Sequence, residues 1–169
     1  MLIDIRTISR SIGASLAIET EIGLSELDFS FQGYRLTRPP FFKGLLQNAD
    51  NGILTLTGRI STGYEGECAR CLQPVREELD IPLTETFRSV SSADDPDDGD
   101  SYRYEGNQLE IGQAIRDNLL TVIPQRLLCR DDCRGLCPDC GANLNEKECD
   151  CALTRVGKPS PFDQLKKLL

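Results

Sequence analysis

The chain has 169 residues, 39% of them apolar, with no Trp, one Met, no His and a net charge of −8. That length suits one domain, or one domain with a small metal-held appendix, and its modest core must come from Leu, Ile, Val and Phe. Without His the chain can build no Ser-His-Asp or Cys-His site and no HExxH or three-His zinc centre, which lowers the expectation of an enzyme.

Leu2, Ile3 and Ile5 open a strand, while Asp4, Arg6 and Arg10 interrupt any apolar run of signal-peptide kind. Ala14, Leu16 and Ile18 alternate until Gly23 and Ser25 break the pattern, which reads as a further strand. Arg38-Pro39-Pro40 fits neither a helix interior nor a central strand and marks an exposed connection. Residues Asn48 to Gly52 read as a turn, because Asn51-Gly52 favours a hairpin with positive φ.

Next come two long alternating stretches. Leu54, Leu56, Gly58, Ile60, Thr62 and Tyr64 share one face, opposite Thr55, Thr57, Arg59 and Ser61. Val75, Leu79, Ile81, Leu83 and Phe87 alternate with Arg76, Glu78, Asp80 and Thr84. Such period-two patterns predict half-buried antiparallel strands, here a hairpin whose tip, residues 67–74, carries Cys68-Ala69-Arg70-Cys71. Residues 91–100 hold five Asp with Ser, Pro and Gly and read as a solvated loop. A calcium loop fails there, because Pro96 takes a ligand position and no Glu closes the segment.

Leu109, Ile111, Ile115, Leu119, Val122 and Ile123 recur at helical spacing until Pro124, which predicts an amphipathic helix packed on the sheet. Near the end, Ser160-Pro161 forms a helix start, with Phe162, Leu165 and Leu169 on one face of a helix too short to stand alone. The fold expected is α+β: an antiparallel sheet able to close barrel-like, one main helix, and a C-terminal zinc-knuckle module. The sheet-plus-helix core is placed at 1–125 and the cysteine-rich module with its tail at 126–169.

The eight cysteines carry the chemistry. Six run Cys129-x3-Cys133-x3-Cys137-x2-Cys140-x8-Cys149-x-Cys151, and two form Cys68-x2-Cys71. No export signal is visible, and in the reducing cytoplasm paired cysteines read as metal ligands rather than disulfides. Two thiolates at x2 spacing reach one tetrahedral ion. In Cys137-Pro138-Asp139-Cys140-Gly141, Pro138 presets the turn, and Gly141 can take positive φ so that backbone N–H groups point at sulfur. The eight divide into a local set, Cys137, Cys140, Cys149 and Cys151, and a set joining Cys68 and Cys71 to Cys129 and Cys133. A single site is the alternative, with Cys133 in place of Cys149 or Cys151. Four cysteine ligands leave no open position, so zinc here would be structural. Cys68 and Cys71 also allow two blander or sharper readings: unliganded thiols, or a redox pair. The redox pair lacks the βαβ setting such motifs use.

The strings Glu67-Cys68-Ala69-Arg70-Cys71-Leu72, Pro124 through Cys129, and Cys133-Arg134-Gly135-Leu136-Cys137-Pro138-Asp139-Cys140-Gly141-Ala142-Asn143-Leu144-Asn145, with Pro161-Phe162 and Leu165, resemble the YceD family over about residues 30–169. The resemblance implies a part in accumulation of large-subunit ribosomal RNA. It also implies association with a small basic zinc-binding protein of the large subunit, and it carries over no catalytic residue.

Charge bears on the partner. Residues 91–110 carry seven acids against Arg103 alone, and no basic field of the kind that displaces counterions from phosphate stands out. A basic large-subunit ribosomal protein is the expected partner, with ribosomal RNA or a pre-ribosomal particle as the other candidate and no membrane. An RNA contact would fall to Arg126, Arg130, Arg134, Arg155, Lys158, Lys166 and Lys167, which share residues 111–169 with eight acids.

Overall fold

The computed structural model describes residues 1–25, 27, 33–50, 52–90 and 101–151. The acidic segment 91–100 and the tail from 152, including Ser160-Pro161, Phe162 and Leu165, lie outside the described residues. So do the basic residues Arg155, Lys158, Lys166 and Lys167.

Eight strands and one helix are assigned among the described residues, a mostly-sheet α+β arrangement. In chain order they are β1 (Leu2–Asp4), β2 (Ser15–Glu21), β3 (Tyr34–Leu36), β4 (Phe41–Asp50), β5 (Ile53–Glu67), β6 (Pro74–Ser89), β7 (Tyr102–Tyr104), β8 (Gln108–Glu110) and α1 (Gly112–Val122). The main sheet runs β2-β4-β5-β6-β7, with β3 also paired to β5, and β1 and β8 form a separate two-stranded sheet. The chain divides into two compact units. One comprises Met1–Gly66 and Arg76–Gln125; the other takes Glu67–Val75 together with the chain from Arg126.

The expected hairpin is β5 and β6, hydrogen-bonded neighbours of 15 and 16 residues. Along β5 the predicted inner face is the buried one: Leu54, Leu56, Ile60, Thr62 and Tyr64 are inaccessible, while Thr57 and Arg59 face water. On β6 the same holds for Ile81, Leu83 and Phe87. Strand β4 was not foreseen. It pairs antiparallel with β5 from Phe41↔Ser61 to Asp50↔Ile53, and Gly52 just before β5 has φ +76°. The register shift between Asn48 and Asp50 is a bulge, which explains why Asn48 and Asp50 read as turn residues although they sit in a strand.

Strand β3 pairs with Gly66–Tyr64, farther along the same side of β5. Thr37, Arg38, Pro39 and Pro40 bridge β3 to β4, so Pro, which cannot donate to a ladder, sits at the break between two pairings. Arg38 and Pro39 are exposed as expected, whereas Pro40 is buried and its carbonyl accepts from the Ile22 N–H at 2.8 Å.

The sheet does not close into a barrel. A barrel needs its two edge strands to meet, but β2 stands at one end and the three-residue β7 at the other. Nor is the sheet wholly antiparallel, because β7 lies parallel to the end of β6. Its apolar face is covered instead by α1 and the small sheet: Leu109, Ile111, Ala114, Ile115 and Leu119 join Phe42, Leu56, Ile60, Leu83 and Phe87 in one buried cluster. Leu109 therefore belongs to β8, opposite Ile3, rather than to the helix, and Val122 is exposed. Ile123 is already extended, as a residue before Pro must be, and this stops α1 where Pro124 predicted.

Candidate metal centre

Both Cys-x-x-Cys segments fold into the same turn. In the first, the Leu72 N–H donates to the Cys68 carbonyl at 2.9 Å and the Cys68 N–H to the Gln73 carbonyl at 2.8 Å. In the second, the Gly141 N–H donates to the Cys137 carbonyl at 2.9 Å and the Cys137 N–H to the Ala142 carbonyl at 2.8 Å. The residue after the second cysteine takes positive φ in each, +61° at Leu72 and +71° at Gly141. The hairpin tip is thus a second knuckle, a conclusion the bare spacing of Cys68 and Cys71 left open.

The remaining cysteines complete two sets. Cys68 and Cys71 meet Cys129 and Cys133; Cys137 and Cys140 meet Cys149 and Cys151; within each set all four sulfurs lie within 4.8 Å of one another. Cys133 stands in the first set, and both Cys149 and Cys151 stand in the second, so the single-site alternative does not describe this arrangement. Cys68 Sγ is 3.7 Å from Cys133 Sγ, and Cys71 Sγ is 3.6 Å from Cys129 Sγ. Those separations are far beyond the about 2.05 Å of a disulfide. They match the edge of a sulfur tetrahedron, about 3.8 Å when each metal–sulfur bond is about 2.3 Å. The donor sets therefore fit a soft tetrahedral ion, and each cluster can hold a metal.

Electrostatics points the same way. Burial pushes the Cys68 thiol up, but the N–H groups of Arg70, Cys129 and Cys71 turned onto its sulfur outweigh it and bring it down to about 6. The N–H groups of Cys140 and Asp139 and the Cys149 thiol bring Cys137 down to about 6. Burial also works against Cys133, yet the Asn145 amide and the Gly135 N–H lower it. Their neighbours move the other way. Burial and the surrounding thiols push Cys129 up to about 12. The Cys140 thiol, burial and Cys149 push Cys151 up to about 12. Four thiolates so close repel one another, and a divalent cation at their centre is what lets all four lose their protons.

The two sets differ in shelter. Cys68, Cys71 and Cys133 are buried and pack with Val75, Leu128 and Leu136. In the second set Cys137 is buried, Cys149 and Cys151 are half-buried and Cys140 is exposed.

A shell of polar residues that spacing alone did not single out holds the first set. Arg70 Nη1 donates to the carbonyls of Asp131 at 3.2 Å and Cys133 at 2.9 Å, fastening the knuckle to the Cys129–Cys133 turn. The Ala69 N–H donates to the Leu127 carbonyl at 2.8 Å, and Gln73 Nε2 to Glu146 Oε1 at 2.8 Å. Asn145 Nδ2 donates to Cys133 Sγ at 3.3 Å and to Asn143 Oδ1 at 2.8 Å. The signal available for them was the run Asn143-Leu144-Asn145 itself: short amides beside cysteines supply both N–H donors and turn geometry.

A profile of the family described as "Large ribosomal RNA subunit accumulation protein YceD" matches residues 56–169, two-thirds of the chain and all eight cysteines. The chain belongs to the YceD family. Among curated relatives, an uncharacterized protein of Mycobacterium tuberculosis is 37% identical over 101 residues, 59% of this chain and 48% of its own length. An uncharacterized protein of Mycobacterium leprae is 24% identical over 148 residues, 85% of this chain and 67% of its own. The "Large ribosomal RNA subunit accumulation protein YCED homolog 1, chloroplastic" of Arabidopsis thaliana is 40% identical over 47 residues, 28% of this chain and 15% of its own. The chain spans about half the length of the M. tuberculosis relative that it matches. No solved structure matches it. Among the described residues, no helix is long and apolar enough to cross a membrane.

Proposed function

We propose that this YceD-family chain is a non-enzymatic ribosome-biogenesis factor of the cytoplasm. It supports accumulation of large-subunit ribosomal RNA by binding a basic large-subunit ribosomal protein, and it holds one structural zinc in each four-cysteine cluster. Family membership is the observation that carries the ribosomal part. The four-sulfur donor sets support zinc, the tetrahedral metal that thiolates favour in closed structural sites.

Charge supports a basic protein as the partner. The chain carries a net −8, so attraction to a basic surface raises the encounter rate. Three exposed cations of the sheet unit are already engaged: Lys43 with Glu19, Arg59 with Asp80, and Arg38 with Glu78. Around the cysteines Arg130 is held by Asn145 Oδ1 and Asp132, and Arg134 by Glu148. These pairings weaken the reading in which Arg130 and Arg134 present a phosphate-binding face. Burial of Cys68, Cys71 and Cys133 weakens the redox reading, since a catalytic dithiol needs an accessible sulfur.

The test is retention of large-subunit proteins on the full, metal-loaded chain at moderate salt, after the subunit has been stripped of its RNA. Recovery of one or a few basic proteins is expected. No retained protein, together with RNA binding that falls steeply with salt, would replace this reading with direct phosphate contact.

A further inference from the structure

The two clusters share a scaffold. Gly135 and Leu136 run between Cys133 of the first set and Cys137 of the second. On one side the Leu136 N–H donates to the Arg70 carbonyl of the first knuckle at 3.0 Å. On the other side Leu136 bridges to Asn143, and the Leu144 N–H donates to the Gly135 carbonyl at 2.9 Å. Gly135 has φ +76°, and a Cβ there would stand 3.0 Å from the Arg70 carbonyl oxygen, so this segment lies close against the first knuckle. The same short segment thus borders the first knuckle and opens the second.

Asn145 closes the link. It follows the second knuckle in the chain, two residues after the bridge at Asn143, yet its Nδ2 reaches Cys133 Sγ in the first set. Its Oδ1 accepts from the Arg134 N–H and from Arg130 Nη2, both at 2.7 Å. Asn143 Oδ1 accepts from the Asn145 N–H at 3.0 Å. A metal ion bound at Cys133 would fix the sulfur that this amide reaches, and with it Asn143–Asn145 beside the second knuckle.

We infer that the two four-cysteine clusters take up metal cooperatively, with Asn145 as the positioning residue that couples them. By linkage the effect is reciprocal: a filled second cluster must tighten the first by the same factor. The inference rests on the proposed metal reading but does not follow from it, because two structural sites can fill independently.

The experiment is native mass spectrometry of the full chain, reduced, stripped and given one equivalent of Zn2+. Independent equal sites put about half the chains in the one-metal form. The wild type is expected to show mainly the empty and two-metal forms, with a coupling of at least ~5-fold, the low end of the usual range. In Asn145→Ala, and in Asn145→Asp, which keeps the size and loses the N–H donor, the one-metal form should rise to half or more. Both variants should still reach two metals at saturation, which a merely unfolded variant would not. A wild type with half or more of its chains in the one-metal form, or variants with the wild-type distribution, would overturn the coupling while leaving the metal sites standing. Failure of the wild type to take up any metal would overturn the metal reading and the coupling together.

Discussion

Leu72 and Gly141 occupy equivalent places in two equivalent turns, and only one of them suits the backbone. An L-residue in the left-handed region costs roughly 1–2 kcal/mol, and Gly escapes this at an unfolded-state entropy cost of about 0.5–1 kcal/mol. Leu72 carries that strain while its side chain is 57% exposed, so little packing inside the chain offsets it. Leu72→Gly should therefore leave metal retention unchanged or raise it by up to about 1 kcal/mol. Gly141→Leu should lower retention by about 1–2 kcal/mol, near tenfold in a chelator competition. Equal losses in both variants would show that the two turns do not share one geometry. At this scale the sequence spoke clearly about Cys137, Cys140 and Gly141, where Pro and Gly both mark the turn. It offered Cys68 and Cys71 as ligands but not as a knuckle, because a Leu at the left-handed position hides the turn. Asn145 was equally hidden, since a hydrogen bond from an amide to sulfur leaves no trace in spacing.

Among the elements, β5, β6 and α1 were legible because their apolar residues keep period two or a helical period over many residues. The strands missed fail that condition for physical reasons. In β4 the exposed Phe41 and Leu45 break the alternation with the buried Phe42 and Leu46. Strands β3, β7 and β8 span three residues each, too few for any period to show. Sheet closure was not readable either, because it depends on which edge each short strand meets. A contact inside the β4–β5 pair can be tested directly. Gly44 and Gly58 face each other, and the Phe42 ring fills the space beside both. A Cβ on Gly58 would stand 2.5 Å from the Lys43 carbonyl oxygen and 2.8 Å from the Phe42 ring. Backbone on one side and a buried ring on the other leave no easy escape. Gly58→Ala should destabilise the sheet unit by about 1–3 kcal/mol in a denaturant titration. A change within about 0.5 kcal/mol would mean that β4 and β5 separate more readily than their register suggests.

For the whole molecule, stability divides between two kinds of glue. The sheet unit has an apolar cluster that includes α1 and contains no cysteine. Among the described residues the cysteine-rich unit buries Cys68, Cys71, Leu127, Cys133 and Cys137, with Val75, Leu128 and Leu136 half-buried. A metal joining Cys71 to Cys129 spans 58 residues of sequence. By the chain-entropy relation for cross-links, closing a loop of that length contributes about 4 kcal/mol, more than so small an apolar cluster offers. Chelation of the full chain should therefore abolish order around the cysteines while the helical circular-dichroism signal of α1 persists. Loss of that signal on chelation would mean that the sheet unit also depends on metal. The central claim, two closed four-cysteine metal centres, is tested most directly by measuring zinc per chain on protein purified without added metal, with reactive thiols counted in parallel. Two zincs and no reactive thiol are predicted. One zinc or none, with Cys68 and Cys71 open to a thiol reagent, would contradict the account.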